Sequence, residues 1–172
     1  MSTQLLNIGY TIETVLKLVF IPMAILNLRY TLLVAFAVSV LAVLRVLKKP
    51  QFNKEYAQKI LLNNHGQNLM YIGLGAMGTV NFLFYAPLVL FFAFTLVEYV
   101  NQKFKVTKFS DKYMPYVDII RNQKYYVMEG KCKIEIFYFV FLLCLMPLDF
   151  FNKLLKVVLM GQYLLMKFRI SQ

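Results

Sequence analysis

The stretch from Gly66 to Val97 constrains this chain most, because its thirty-two consecutive residues carry no charged side chain. A single helix of that length would extend roughly 48 Å at about 1.5 Å per residue, whereas the hydrocarbon core of a bilayer is about 30 Å thick. Asn81 lies near the middle, and Pro87 follows it at a position typical of a helix start. We therefore predict a buckled hairpin of two short helices over residues 66–100, with Pro87 in the first turn of the second helix.

The composition places the chain in a membrane. Hydrophobic residues make up 60% of the 172 residues, and the mean hydropathy is +0.60. This leaves too little polar surface to cover a soluble domain of this size. The formal net charge is +11. Because the basic residues flank the apolar stretches, we expect them to contact anionic lipid headgroups, and we expect no nucleic acid as a partner.

Two further hairpins flank the central one. Residues 10–47 hold two apolar runs, and Glu13 and Lys17 lie four residues apart in the first run, where they can pair on one helix face. Residues 134–170 hold two runs that are too short to span comfortably, which predicts a short or re-entrant hairpin. The expected fold is all-α: a polytopic integral membrane protein with a single membrane domain, 1–172, built from about three helical hairpins.

Two basic segments separate the hairpins. Residues 50–64 place apolar side chains opposite lysines, which predicts an amphipathic helix lying at the membrane interface. Residues 101–133 are predicted to form a basic extramembrane segment. If all hairpins enter from one side, both segments and both termini share that side, as the positive-inside rule requires of a cytoplasmic or matrix face. The predicted contacts to lipid headgroups are Arg45, Lys48, Lys49, Lys103 and Lys105.

Three glycines in the central stretch have the spacing of a dinucleotide-binding loop. They are Gly73, Gly75 and Gly78. Such a loop requires a preceding strand within a βαβ unit, and the sequence contains no such unit. Small residues also let membrane helices approach one another closely. We therefore expect these glycines to be helix-packing positions and expect no cofactor.

The chain offers few groups for catalysis. His65 is the sole histidine, and no Ser/His/Asp or Cys/His triad, pair of catalytic carboxylates or phosphate loop can be assembled. The two cysteines lack the spacing of a zinc site. We therefore expect neither an enzyme nor a bound metal. Glu98 and Asp149 border apolar runs, so a proton or solute pathway through them stays open as an alternative.

Spaced residues from about 12 to 170 follow an order that resembles one known family. They are Leu44-Arg45, Pro50-Gln51-Phe52, Asn64-His65, Leu69-Met70-Tyr71, Pro87-Leu88-Val89-Leu90-Phe91, Tyr99, Asn122-Gln123, Cys132, Glu135-Ile136-Phe137, Met146-Pro147, Tyr163-Leu164 and Lys167-Phe168-Arg169. The pattern resembles the transmembrane protein 33 family, whose members are small proteins of the endoplasmic reticulum and nuclear envelope, including pore-associated membrane proteins.

This resemblance implies a non-catalytic protein that scaffolds or shapes the membrane of the endoplasmic reticulum or nuclear envelope. Its partners would be membrane lipids and other integral membrane proteins within a larger assembly. The alternative is an accessory structural subunit of a large respiratory complex in the mitochondrial inner membrane. A small, basic, tyrosine-rich chain with several apolar runs is compatible with that role.

Overall fold

The computed structural model describes residues 3–27, 30–47, 53–76, 82–106, 122–145 and 150–171, with side chains for all of these except 3–8, 101–106, 145, 150–152, 170 and 171. These residues form seven helices and no strand, which confirms the prediction of an all-α fold. The helices are α1 (Thr3–Ile25), α2 (Thr31–Leu47), α3 (Lys54–Leu62), α4 (Asn64–Gly75), α5 (Phe82–Val106), α6 (Lys124–Leu145) and α7 (Phe150–Ser171).

Three asparagines mark helix ends. The side-chain oxygen of Asn53 accepts a hydrogen bond from the backbone N–H of Tyr56 at 2.7 Å and caps α3. Asn63 caps α4 in the same way, through the N–H of His65 at 2.8 Å. Asn27 follows α1 with a φ of 50°, a left-handed conformation that asparagine adopts more readily than most residues. The short polar side chains thus set where the helices begin and end.

Six of the helices close into a ring. Going around it, α1 packs on α2, α2 on α4, α4 on α7, α7 on α6, α6 on α5, and α5 returns to α1. The short helix α3 packs on α4 and α2 outside this ring, and none of its residues is buried. Every helix of the ring therefore packs against two neighbouring ring helices. One of its faces points to the interior of the ring, which we call the lumen, and one face points outward.

Consecutive helices of the ring run in opposite directions. Arg45 near the end of α2 contacts Glu13 of α1, and Lys124 at the start of α6 contacts Glu98 of α5. His65 at the start of α4 shares a cavity with Arg45 and Glu98. The starts of α1, α4 and α6 and the ends of α2, α5 and α7 therefore lie together. We call this end of the ring the basic end, because the two basic segments of the sequence adjoin it.

Aromatic side chains fill the lumen away from the basic end. The rings of Tyr71 and Phe84 are stacked with their centroids 4.5 Å apart, and the hydroxyl of Tyr71 donates to the carbonyl of Phe84 at 3.1 Å. Phe20 packs edge-on against Tyr85 and Phe92. All five side chains are buried. We call this group the aromatic plug; it joins α1, α4 and α5 at the centre of the ring.

The helix boundaries differ from the predicted hairpins at two places. α5 begins at Phe82 and has 25 residues, so Pro87 is its sixth residue. The expectation of a short second helix with Pro87 in the first turn was wrong: α5 begins five residues before Pro87 and continues past Glu98, which pairs with Lys124, to Val106. In addition, α6 runs unbroken from Lys124 to Leu145, so the predicted division between 133 and 134 falls within a helix.

By length and composition, one stretch of the described helices is long and apolar enough to cross a membrane: Phe82–Val100 in α5. Helix α2 is also apolar and contains no acidic residue, but it has only 17 residues. A core helix of a soluble protein can meet the same criterion of length and hydropathy. The exposed and buried side chains therefore have to indicate whether water or lipid surrounds the helices.

Candidate functional site

A buried carboxylate joins α1 to α2 near the basic end. Glu13 is 1% exposed, and its Oε1 lies 2.6 Å from the Lys17 ammonium, which confirms the predicted pairing of these residues. The guanidinium of Arg45 donates from Nε and Nη2 to the two oxygens of Glu13 at 2.9 and 3.1 Å, and it lies 4.4 Å above the ring of Tyr10. One anion is therefore shared by two cations in a largely dehydrated position.

A polar cavity of about 180 Å³ adjoins this ion pair at the basic end of the lumen. We call it the vestibule. Two residues at its edge retain solvent exposure: the side chain of Arg45 is 31% exposed and that of Glu98 is 29% exposed. The vestibule therefore communicates with the surroundings of the protein. Its lining residues are Tyr10, Lys17, Arg45, His65, Thr95, Glu98 and Tyr99.

A second chamber of about 220 Å³ shares His65, Thr95 and Glu98 with the vestibule. Its remaining wall is mixed, with apolar side chains and the amides of two asparagines. Glu98 lies 3.7 Å from the ammonium of Lys124 at its edge. The two chambers together form the opening of the lumen at the basic end. Its wall is polar on the α1 side and mixed polar and apolar on the α6 side. The other lining residues of the second chamber are Val46, Asn63, Asn64, Phe91, Phe94, Lys124 and Met128.

His65 lies between the two chambers and precedes the predicted hairpin 66–100. Its ring packs edge-on against Phe91, with centroids 5.2 Å apart. Within the part of the chain that the structure describes, its buried Nδ1 has no hydrogen-bond partner. Burial, assisted by the positive charge of Lys17, lowers the pKa of His65 to about 4. The imidazole is therefore neutral at pH 7.

A second set of buried polar side chains lies further along the lumen, between α4, α6 and α7. Lys131 and Glu135 are 1% and 0% exposed, and their charged groups are 3.5 Å apart. Lys131 donates to the side-chain oxygen of Asn68, and Lys167 donates to Glu135. The hydroxyl of Tyr163 lies 3.4 Å from both oxygens of Glu135. We call these five residues the buried cluster; again one carboxylate is shared by two lysines.

The predicted packing glycines differ from one another. A Cβ placed on Gly75 would lie 2.5 Å from the ring of Phe84 and 3.1 Å from Leu32, so this position permits close approach of α4, α5 and α2. Gly73 lies on the exposed face of α4, where a Cβ would meet nothing within 4 Å. Gly78 lies outside the described residues.

Of the predicted headgroup contacts, Arg45 points into the protein. Its guanidinium is engaged by Glu13 and Tyr10, because the antiparallel packing of α1 and α2 brings these side chains together. Lys48 and Lys49 lie outside the described residues. Lys103 and Lys105 fall in the last turn of α5, and their side chains are not among those described. The alternative of a pathway through Glu98 and Asp149 has one member in the vestibule, and Asp149 lies outside the described residues.

Sequence reasoning missed the buried cluster. The sequence analysis placed Lys131 in the predicted extramembrane segment 101–133, whereas the structure buries this lysine. Lys156 is 5% exposed, with its ammonium 5.7 Å from the centroid of the Phe84 ring. The spacing of Lys131 and Glu135, four residues apart, was a usable signal of pairing. Their burial depends on α4 and α7, which the spacing does not reveal.

The described ionisable side chains are arranged for pairing and binding. Among the described residues no three His, Cys, Asp or Glu side chains come together as metal ligands. The carboxylates of Glu13 and Glu135 are each engaged by two cations, which orients them. A comparison of the chain with models of known families, with curated proteins and with solved structures finds no match.

Proposed function

We propose that this chain is a non-catalytic, multi-pass membrane protein that scaffolds or shapes membrane and binds other membrane proteins. One observation carries the membrane assignment: the apolar side chains point outward from the ring, while paired charges point inward. Leu33, Leu165 and Leu18 are 59–66% exposed, whereas Glu13 and Glu135 are almost completely buried. Soluble monomers rarely expose large continuous apolar surfaces, and charged side chains are almost never fully buried unless they are paired.

Exposed large apolar residues occur on five of the six helices of the ring. Helices α1, α2, α5, α6 and α7 each contribute at least three. A surface of this kind is stable when lipid chains or other membrane helices cover it. Charged residues within membrane segments characteristically face the interior of a bundle and pair with one another, as in the buried cluster. The distribution thus supports several membrane crossings, although among the described helices only α5 is long and apolar enough to span by length and hydropathy.

The arrangement of the lumen favours a structural role over transport. The carboxylates and cations of the buried cluster engage one another, and the aromatic plug fills the centre of the ring with rings in contact. A continuous polar path would require polar groups or water beyond that plug. The paired charges link consecutive helices to each other: α1 to α2, and α6 to α7. This supports a rigid, internally bonded scaffold.

The resemblance to the transmembrane protein 33 family supports the endoplasmic reticulum or nuclear envelope as the compartment, and Lys48, Lys49, Lys103 and Lys105 as contacts to anionic headgroups. Purification of the native assembly in mild detergent, followed by mass spectrometry, tests this assignment. We expect membrane-shaping or nuclear-pore proteins to copurify. Copurification with respiratory subunits would instead favour the mitochondrial alternative and contradict the proposed compartment.

The membrane topology can be tested by cysteine accessibility in a chain whose native Cys132 and Cys144 are replaced by alanine. Single cysteines at positions 50 and 110 are expected to react with an impermeant reagent from the same side of sealed vesicles. Tyr30 lies between α1 and α2 at the opposite end of the ring, and its side chain is 60% exposed. A cysteine in its place, Tyr30→Cys, should react only from the other side of the vesicles. Reaction of positions 50 and 110 from opposite sides, or release of the chain from membranes by alkaline carbonate, would refute the proposal.

A further inference from the structure

The vestibule has the size and wall chemistry of a small binding site. Its volume of about 180 Å³ equals the share of about six water molecules in the liquid, which is enough for a tetrahedral anion with some water. Five of its seven lining residues are tyrosine, lysine, arginine or histidine, whose side chains can act as hydrogen-bond donors. Four helices supply these groups, so the site exists only in the closed ring.

The charges around the vestibule leave an excess of one positive charge. Glu13 is shared by Lys17 and Arg45, and Glu98 is engaged by Lys124. Three cations therefore face two carboxylates, while His65 is neutral. Of the three cations, Lys17 is 5% exposed and therefore poorly hydrated, whereas the side chains of Arg45 and Lys124 are 31% and 55% exposed. An anion placed within reach of Lys17 and Arg45 would offset the excess charge.

Hydrogen-bonding capacity in the vestibule exceeds what the ion pairs consume. The guanidinium of Arg45 carries five N–H groups, of which Glu13 engages those on Nε and Nη2. The ammonium of Lys17 carries three, and Glu13 lies on one side of it. Nδ1 of His65 is buried and has no partner among the described residues. Since buried polar groups are normally satisfied, the combination indicates a bound polar group or water.

We infer that the vestibule binds a phosphate group, carried either by a phospholipid headgroup or by free phosphate, with Lys17 and Arg45 as its cationic ligands. Arginine and lysine are the usual partners of phosphate oxygens. The two carboxylates nearby do not repel such a group strongly, because each is already paired with a cation. The adjoining second chamber, walled in part by Phe91, Phe94 and Met128, has the mixed character that suits a glycerol backbone and the first methylene groups of a lipid.

Binding can be measured by titration calorimetry on the full chain in mild detergent. The probes are dioctanoyl phosphatidylglycerol, inorganic phosphate, and dioctanoylglycerol, which has the same chains without a phosphate. Lys17→Gln removes one cationic ligand and should weaken binding about tenfold or more, which corresponds to the loss of one charge-assisted hydrogen bond. Tyr10→Phe removes only a hydroxyl and keeps the ring under Arg45; it should weaken binding a few-fold. Lys133→Gln is the matched control, because it makes the same charge change on a side chain that is 73% exposed.

The two sources of phosphate are separated by the probes. Binding of both phosphatidylglycerol and inorganic phosphate, or of either one alone, supports the site and identifies its source. Equal affinity for dioctanoylglycerol, no binding of either phosphate compound, or equal effects of Lys17→Gln and Lys133→Gln would overturn it. If Lys17→Gln does not fold, as shown by loss of its helical circular dichroism signal, the Tyr10→Phe variant serves as the test. Unchanged affinity of Tyr10→Phe for the phosphate probes would then overturn the inference.

The lipid source rests on the proposed membrane embedding, whereas binding of inorganic phosphate in detergent does not. Failure of phosphate binding would leave the cysteine topology experiment unaffected, so the two proposals can fail separately.

Discussion

Loss of the charge on Glu13 should destabilise the protein more than any comparable change on its surface. In Glu13→Gln the two cations lose their shared anion, and Lys17, at 6% side-chain exposure, keeps little water around it. Removing one partner of a buried pair costs about 3–5 kcal/mol. We expect about 3 kcal/mol, the lower end, because the glutamine carbonyl still accepts one hydrogen bond and Arg45 is 31% exposed. This free energy corresponds to a roughly hundredfold larger unfolding equilibrium constant.

The assay is denaturant unfolding of the full chain in bicelles, followed by far-ultraviolet circular dichroism. The chain contains a matched control: Glu129 and Lys133 have the same spacing and the same 2.6 Å separation as Glu13 and Lys17, but they are 39% and 73% exposed. Water screens that surface pair, so Glu129→Gln should change stability little. Equal effects of the two substitutions would refute the argument from burial.

A rescue experiment separates the cost of an orphaned cation from a loss of packing. Combining Glu13→Gln with Lys17→Met replaces the buried ammonium with an apolar side chain of similar length. Stability should then recover in part, because one of the two unpaired charges is gone. If the double variant is as unstable as the sum of the two single variants, the pair is not energetically coupled and the interpretation is wrong.

Two further predictions concern glycine packing and pH. Gly75→Ala should destabilise the protein by about 1–3 kcal/mol, because the added methyl group overpacks against the Phe84 ring. Gly73→Ala should be neutral or stabilising by up to about 1 kcal/mol, because its Cβ would meet nothing within 4 Å and alanine has the higher helix propensity. Similar unfolding free energies for the two variants would contradict this prediction. His65 has a pKa of about 4 in the folded protein and about 6.5 when unfolded, so the unfolded chain binds a proton first, and stability should be lost as the pH falls from about 6.5 toward 4. His65→Phe should flatten this dependence in unfolding titrations at a series of pH values, and a difference from the parent chain that is constant with pH would argue against a buried neutral imidazole.

Much of the helical content follows from local sequence. Asparagine caps, uncharged runs and the spacing of Glu13 and Lys17 act over a few residues, so their consequences can be predicted without knowing the neighbours in space. The hairpin boundaries could not be predicted as well, because a helix can continue beyond the end of an apolar run. Glu98, which looked like the border of the central stretch, is accommodated by a lysine 26 residues later in the chain, and α5 continues past it.

The candidate site could be predicted from the sequence only in part. Arg45 was predicted to contact lipid headgroups because it follows an apolar run, and its pairing with Glu13 depends on which face of α1 packs against α2. Gly73 and Gly75 are indistinguishable in sequence, and they differ in the structure because one faces Phe84 and the other faces outward. The burial of Lys131 involves Asn68 of α4, which is 63 positions away, and Lys167 of α7 pairs with Glu135 over 32 positions.

Helix formation and hydropathy are properties of short segments, so the sequence is enough to predict that this protein is helical, strongly apolar and basic around its apolar runs. Which charged residues face the lumen, which glycine is packed and where the polar vestibule lies depend on how the helices assemble. Burying a charge costs little only where a partner from another helix meets it, and the closing of the six-helix ring brings those partners together.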